Sequence, residues 1–186
     1  MSFLDSVDQP TLLIDENGTR RNIRRMIERA NANHVDFRPH FKTHQSATVG
    51  EWFREMGVER ITVSSVEMAE YFAANGWNDI LIAFSLNPRQ VSRIDTLAAR
   101  IHLEVLIENV EGLTALSGSD SVPLGVWIKV DVGNGRTGLD WQDADGIAAI
   151  CQRVLQNSRV TLAGLLTHSG HTYHATSPVE AAHIFR

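Results

Sequence analysis

Six apolar, β-rich runs alternate with helix-patterned stretches along this chain, an order that a parallel sheet built from βα units accommodates and an antiparallel one does not. The runs are Asp36 to Lys42, Arg60 to Ser65, Asp79 to Phe84, His102 to Glu108, Leu124 to Asp131 and Leu162 to Ser169, preceded by a short extended stretch from Thr11 to Asp15. Between them, apolar residues recur every three or four positions. Val49, Trp52, Phe53 and Met56 mark one helix, and Val91, Ile94, Leu97 and Ala98 mark another. Gly57 and Gly76 fall just past helix ends, where a left-handed turn costs glycine least, and Pro88 suits the first turn of the helix after Asn87.

Six such units fit a TIM-type (β/α)8 barrel better than an open sheet, and no G-x-G-x-x-G follows the first run to support a Rossmann-like alternative. A complete barrel takes about 250 residues. With 186 residues, and a last helix pattern starting near Ser177-Pro178 and still running at Arg186, the expectation is one incomplete barrel domain over residues 1–186, truncated at its C-terminal side.

A net charge of −5 offers no global attraction for nucleic acid or an anionic membrane. Arg20, Arg21, Arg24, Arg25 and Arg29 do cluster, but Ile23, Met26, Ile27 and Ala30 recur at helical spacing, so the arginines read as the solvated face of an amphipathic helix. The N-terminus lacks the basic and apolar stretches of a secretion signal, and no apolar run approaches the roughly 18 residues of a membrane span, so a cytoplasmic location is expected. The single cysteine, Cys151, shares a helix pattern with Ile147, Ile150, Val154 and Leu155 and reads as packing on an inner face.

Catalytic groups of a βα barrel gather at the carboxyl ends of its strands, and three clusters lie there. The first is Arg38-Pro-His40-Phe-Lys42-Thr-His44. Side chains alternate along a strand, so His40 and Lys42 share one side and Phe41 takes the other; at the mouth, partly buried, Lys42 is an amine able to attack an aldehyde. The second is Lys129-Val-Asp131-Val-Gly-Asn-Gly-Arg136-Thr-Gly138, a strand running into a turn whose glycines bring a cation back over the strand end. The third is Gly164-Leu-Leu-Thr-His168-Ser-Gly-His171-Thr-Tyr173-His174. Its histidine run raises a zinc site, yet a strand-to-loop transition does not hold such spacings on one face, and no carboxylate completes a set.

The first cluster, with Thr11 to Asp15 before it, resembles the start of the alanine-racemase-like (fold type III) pyridoxal-phosphate enzymes, and "RPHFKTH" is most similar to the D-threonine aldolase and eukaryotic-type D-serine dehydratase branch. The second resembles the family's K-x-D-x-G-x-x-R-x-G signature, and the third its G-x-x-x-H strand and the branch's H-x-G-H-x-Y loop. Ile61 to Ser65 with Glu67 to Glu70, and Asn78 to Ala83, resemble the branch's second and third strands. Gln45 departs from the lysine many relatives carry after "KTH".

This resemblance implies that Lys42 carries pyridoxal 5'-phosphate as a Schiff base and acts as the catalytic base. It implies further that Arg136 contacts the cofactor's phenolic oxygen, that His168 packs on its ring, and that His40 and Tyr173 also lie at the cofactor, with His171 nearby. The implied activity is that of a lyase on D-amino acids: dehydration of D-serine to pyruvate and ammonia, or retro-aldol cleavage of D-threonine. A divalent metal, zinc by analogy, would bind through ligands of a C-terminal β-domain that this chain lacks, and the implied assembly is a homodimer whose small-molecule substrate is the D-amino acid. Rival readings are an amino-acid racemase of the same superfamily and a non-catalytic pyridoxal-phosphate-binding protein. A racemase needs a second base, commonly tyrosine, and of Tyr71 and Tyr173 the former reads as helix packing.

Overall fold

The computed structural model describes residues 3–117 and 122–184. After a 3-10 turn at Phe3–Ser6, the main elements are α1 (Glu16–Ala32), a 3-10 turn at Phe41–Thr43, α2 (Ala47–Arg54), β1 (Ile61–Val63), α3 (Val66–Ala74) and β2 (Asp79–Ser85). A 3-10 turn at Pro88–Gln90 leads into α4 (Val91–Ala98), followed by β3 (His102–Ile107), α5 (Val110–Ser117), β4 (Leu124–Asp131), β5 (Leu139–Asp140), α6 (Ala144–Leu155), β6 (Val160–Thr167), a 3-10 turn at Gly170–His174 and α7 (Pro178–Ile184). The helix starts are written locally. Asp15, Ser46, Ser65 and Asp143 each accept a hydrogen bond from a backbone N–H of the first turn they cap.

All strand pairings are parallel: β1, β2, β3 and β4 follow in order, and β4 also pairs with β5 and β6. The sheet curves in the manner of a barrel without closing among the described residues. Helices cover one face, where Ile61, Val63, Phe72, Ile80, Ile82, Ile94 and Val105 form the core. On the other side Arg38 plugs the N-terminal end of the strands, its guanidinium paired with Asp79 and Glu104 and its Nε donating to the Ile61 carbonyl at 3.1 Å. Among the described residues no helix is long and apolar enough to cross a membrane.

The first expected strand, Asp36 to Lys42, does not form. Only His40 bridges Thr62, with the Thr62 amide donating to the Pro39 carbonyl at 2.9 Å, and the chain then coils into the 3-10 turn. The turn seats Phe41 in the core: its ring is fully buried, with centroids 5.0 Å from Phe72 and 5.1 Å from both Phe53 and Trp77. The short extended stretch from Thr11 to Asp15 joins no strand of the sheet among the described residues and ends as the α1 cap.

Smaller differences follow from tertiary contact. β5 is two residues long, too short to carry a period, and exists because the loop after β4 returns to pair with Val130 and Asp131. Cys151 packs against the core as expected, but Leu155, placed on the same inner face by its spacing, is 70% exposed, and Met26 of α1 is exposed as well. Phe185 and Arg186, the end of the last helix pattern, lie outside the described residues.

Candidate active site

Strands β1, β2, β3, β4 and β6 and the Phe41–Thr43 turn converge on a cavity of about 520 Å³. Its walls include Lys42 and His40 from the turn and its cap, Thr62 from β1 and Ser64 just after it, Phe84 and Ser85 from β2, Lys129 from β4, Arg136 from the following loop, and His168 just after β6. Four of the five residues expected at the cofactor, His40, Lys42, Arg136 and His168, are thus brought together.

Lys42 stands at the mouth and is exposed, not partly buried as a strand-end position implied, because the turn that sinks Phe41 lifts its neighbour outward. Four hydrogen bonds define that turn. The Lys42 amide donates to His40 Nδ1 at 3.3 Å, the Gln45 amide to the Phe41 carbonyl at 3.0 Å, the Gln45 side chain to the Lys42 carbonyl at 3.2 Å, and the Ser46 amide to His44 Nδ1 at 3.1 Å. Gln45 reaches these positions in the left-handed region, φ 47°. The two histidines that flank the lysine therefore part company. His40 faces the cavity, while the His44 ring lies 4.5 Å from Phe41 and stacks on Phe53.

The charged groups on the wall are cations: among the described residues no carboxylate lines the cavity, while Lys42, Lys129 and Arg136 do, and the fourth cation, Arg38, is already paired with its carboxylates. Lys129 is 4% exposed, with the Val130 carbonyl 3.5 Å from its Nζ. Burial first, and the Arg136 charge second, push its pKa down, opposed by Asp131 and Glu108. Burial also lowers the pKa of His168, helped by Arg136, Lys42 and Lys129, and brings that of His40 to about 4, helped by Lys42 and His168. Both imidazoles are neutral near pH 7. The buried Nδ1 of His168 has no hydrogen-bond partner, which leaves an unused polar atom at the wall.

Tyr173 is not part of that wall. The 3-10 turn at Gly170–His174 carries it outward, 79% exposed, with its ring edge-on to His168 at 5.9 Å between centroids. His171 sits against Gly133, where the loops after β4 and β6 meet, its own Nδ1 buried and unpaired. Sequence reasoning gave Lys129 no role, although it lies two residues before Asp131 on a strand and hence on the same face; Ser64, Phe84 and Ser85 carried no pattern that could have found them.

An accessible primary amine, two further cations, a neutral imidazole and apolar walls from Leu81, Leu106 and Leu166 suit a flat, anionic molecule with an aldehyde. Pyridoxal phosphate has those properties, and the residues present fit it. Among the described residues, no group of three or more His, Cys, Asp or Glu is placed to hold a metal ion.

Comparison with known proteins points the same way. Residues 14–185 match the family described as Alanine racemase, N-terminal domain. The chain is 34% identical over 177 residues to D-threo-3-hydroxyaspartate dehydratase of Delftia sp. (strain HT23), covering 93% of this chain and 46% of the relative. It is 28% identical to D-threonine aldolase of Arthrobacter sp. (98% and 49% covered) and 27% identical to D-serine dehydratase of Dictyostelium discoideum (95% and 48% covered). The solved structure of the Delftia dehydratase superposes with a TM-score of 0.85 at 32% identity, over 97% of this chain and 52% of that one. The chain spans about half the length of the curated relatives it matches.

Proposed function

This chain belongs to the alanine racemase N-terminal domain family, and from that premise we propose that it forms the cofactor-holding barrel domain of a pyridoxal-phosphate-dependent lyase acting on D-configured β-hydroxy amino acids. The single observation that carries the reading is the convergence of Lys42, Arg136 and His168 on one cavity that contains cations and no carboxylate. The names of the three relatives support the substrate class, since serine, threonine and 3-hydroxyaspartate all bear a hydroxyl on Cβ.

When bound, pyridoxal phosphate supplies an aldehyde and an electron-withdrawing ring that accepts charge from a deprotonated Cα. The residues of this chain prepare for that chemistry. Lys42 would hold the aldehyde through its amine and, in a dehydration, would serve as the base for the Cα proton. The Arg136 guanidinium would meet the phenolic oxygen and favour its anionic form. His168, neutral and backed by Tyr173, would pack on the ring face, and His40 caps the turn that carries Lys42. A dehydratase would break Cα–H and release the β-hydroxyl as water, whereas an aldolase would break Cα–Cβ in place of Cα–H, with a base taking the hydroxyl proton. A divalent metal at the hydroxyl would take its ligands from outside this chain. The working assembly in this reading is a cytoplasmic homodimer whose small-molecule partner is the D-amino acid.

The test is optical. Protein mixed with pyridoxal phosphate should gain a visible imine band, and Lys42→Ala should remove it; a band unchanged by that substitution would reject Lys42 as the attachment point. Pyruvate from D-serine but not L-serine would identify a dehydratase, and glycine with acetaldehyde from D-threonine an aldolase. Loss of optical rotation with neither product would replace the lyase reading by a racemase.

A further inference from the structure

Arg136 lies five residues past the end of β4, on a loop with three glycines, yet it reaches back to line the cavity. Such a loop is disordered by default, and something must set its course. Asp131, the last residue of β4, does so from both of its ends. Its carboxylate accepts hydrogen bonds from the Gly133 amide at 3.0 Å and the Asn134 amide at 2.8 Å, and the amides of Gly135 and Arg136 also face it. Its backbone carbonyl accepts from the Trp141 amide at 3.1 Å, and Asp131 pairs with Asp140 in β5, so the loop closes on the residue from which it departs.

The backbone of the loop is shaped for this. Gly133 at φ 109° and Gly135 at φ 67° turn successive N–H groups toward one centre, a concave nest of the kind that binds anions, and here the chain supplies the anion itself. The return is equally constrained. Gly138 has φ 115°, and a Cβ there would lie 2.8 Å from the Asp131 nitrogen and 2.9 Å from Lys129 Cγ.

We propose that the Asp131 carboxylate is a positioning residue that gathers the 133–136 amides and thereby aims Arg136 at the cofactor's phenolic oxygen. This rests on the cofactor role of Arg136 proposed above. Desolvation works to raise the Asp131 pKa, but the amides of Asn134, Gly133, Gly135 and Arg136 prevail and lower it, so the anion persists through the neutral range. Asparagine in its place would keep one acceptor oxygen but turn an NH2 toward donors.

A double-mutant cycle on pyridoxal-phosphate affinity, read by absorbance titration, separates this role from general destabilisation. Asp131→Ala and Arg136→Ala are each expected to weaken binding by about tenfold, and the double variant no more than Arg136→Ala alone. Equal losses from Asp131→Ala in the wild-type and Arg136→Ala backgrounds would overturn the proposal. Hydrogen exchange without cofactor provides the second readout. Amides 133–136 should lose protection in Asp131→Ala and in the milder Asp131→Asn, and keep it in Arg136→Ala; protection retained in both Asp131 variants would also overturn it. Should Arg136→Ala leave affinity unchanged in a folded protein, the cofactor role of Arg136 falls, and with it the aim assigned to Asp131.

Discussion

His40 and Lys42 are joined across a single turn, the amide of Lys42 donating to Nδ1 of His40 at 3.3 Å. The imidazole is thereby a helix-type cap for the short turn that presents the lysine. A cap that accepts a hydrogen bond must be unprotonated, so the geometry of Lys42 depends on the neutral form of His40.

That dependence sets a pH prediction. His40 is held at about 4 in the folded protein against 6.5 for the free side chain, so the unfolded state binds the proton first as pH falls. Stability from this site is complete above pH 6.5, declines as the pH drops from 6.5 toward 4, and has no further to fall below that. His44 and His168, also lowered by burial, add to the same slope. Urea midpoints measured between pH 4 and 8 should show the decline, and His40→Asn should flatten it; an identical slope in the variant would remove His40 from the account.

Phe41 anchors the same turn from the other side. Phe41→Ala empties a fully buried site packed by Phe53, Phe72 and Trp77, and should cost about 3–5 kcal/mol by denaturant unfolding. Phe41→Leu should recover most of that stability. If Phe41→Ala costs less than about 1 kcal/mol, the turn is held by its hydrogen bonds and not by the ring.

The ion pairs differ by place. Glu104→Ala leaves the half-buried Arg38 guanidinium without its buried partner at the floor of the sheet, with only the part-exposed Asp79 remaining, and should cost about 3 kcal/mol. Arg93→Ala breaks contacts of 2.6 Å to Glu67 and Glu70 on the exposed faces of α3 and α4, where solvent screens the pair, and should cost clearly less than Glu104→Ala. Calorimetric unfolding of the two variants should preserve that order.

Two glycines with positive φ make a third contrast. Gly57→Ala, at φ 84° with nothing within 4 Å of the added methyl, should cost only the left-handed strain of about 1–2 kcal/mol. Gly138→Ala adds a steric collision with Asp131 and Lys129 and should exceed it, with cofactor affinity lost as well because Arg136 rides on the same loop. Comparable stability losses with cofactor affinity intact would mean that the loop absorbs the methyl by shifting.

Much of the fold could be read before any coordinates, for reasons visible residue by residue. Asp79 to Phe84 and Leu124 to Asp131 were legible as strands because in a parallel sheet both faces are covered, and both faces must be apolar. Asp36 to Lys42 misled because it has the same look: Phe41 reads as one more strand residue, and nothing local says that it leaves for the helices. Leu155 misled in the opposite sense, since helical spacing assigns it to a face, while the space beyond α6 decides whether anything covers that face. At the site, the motif resemblance led to the expectation that His40, Lys42, Arg136, His168 and Tyr173 lie together; the first four line one cavity, whereas Tyr173 is carried outward by a turn that the spacing of its loop does not encode.

By itself the sequence determined the parallel βα order, the helix caps and the chemically capable side chains, because each rests on period, on residue type or on contacts within a few positions. Only the tertiary structure decided that residues 40, 42, 129, 136 and 168 share one cavity without a carboxylate, that His44 serves the core, and that Asp131 turns its own loop. Those facts depend on where distant strand ends meet, and the packing of Phe41 and the closure of the 131–141 loop set that through contacts no local pattern records.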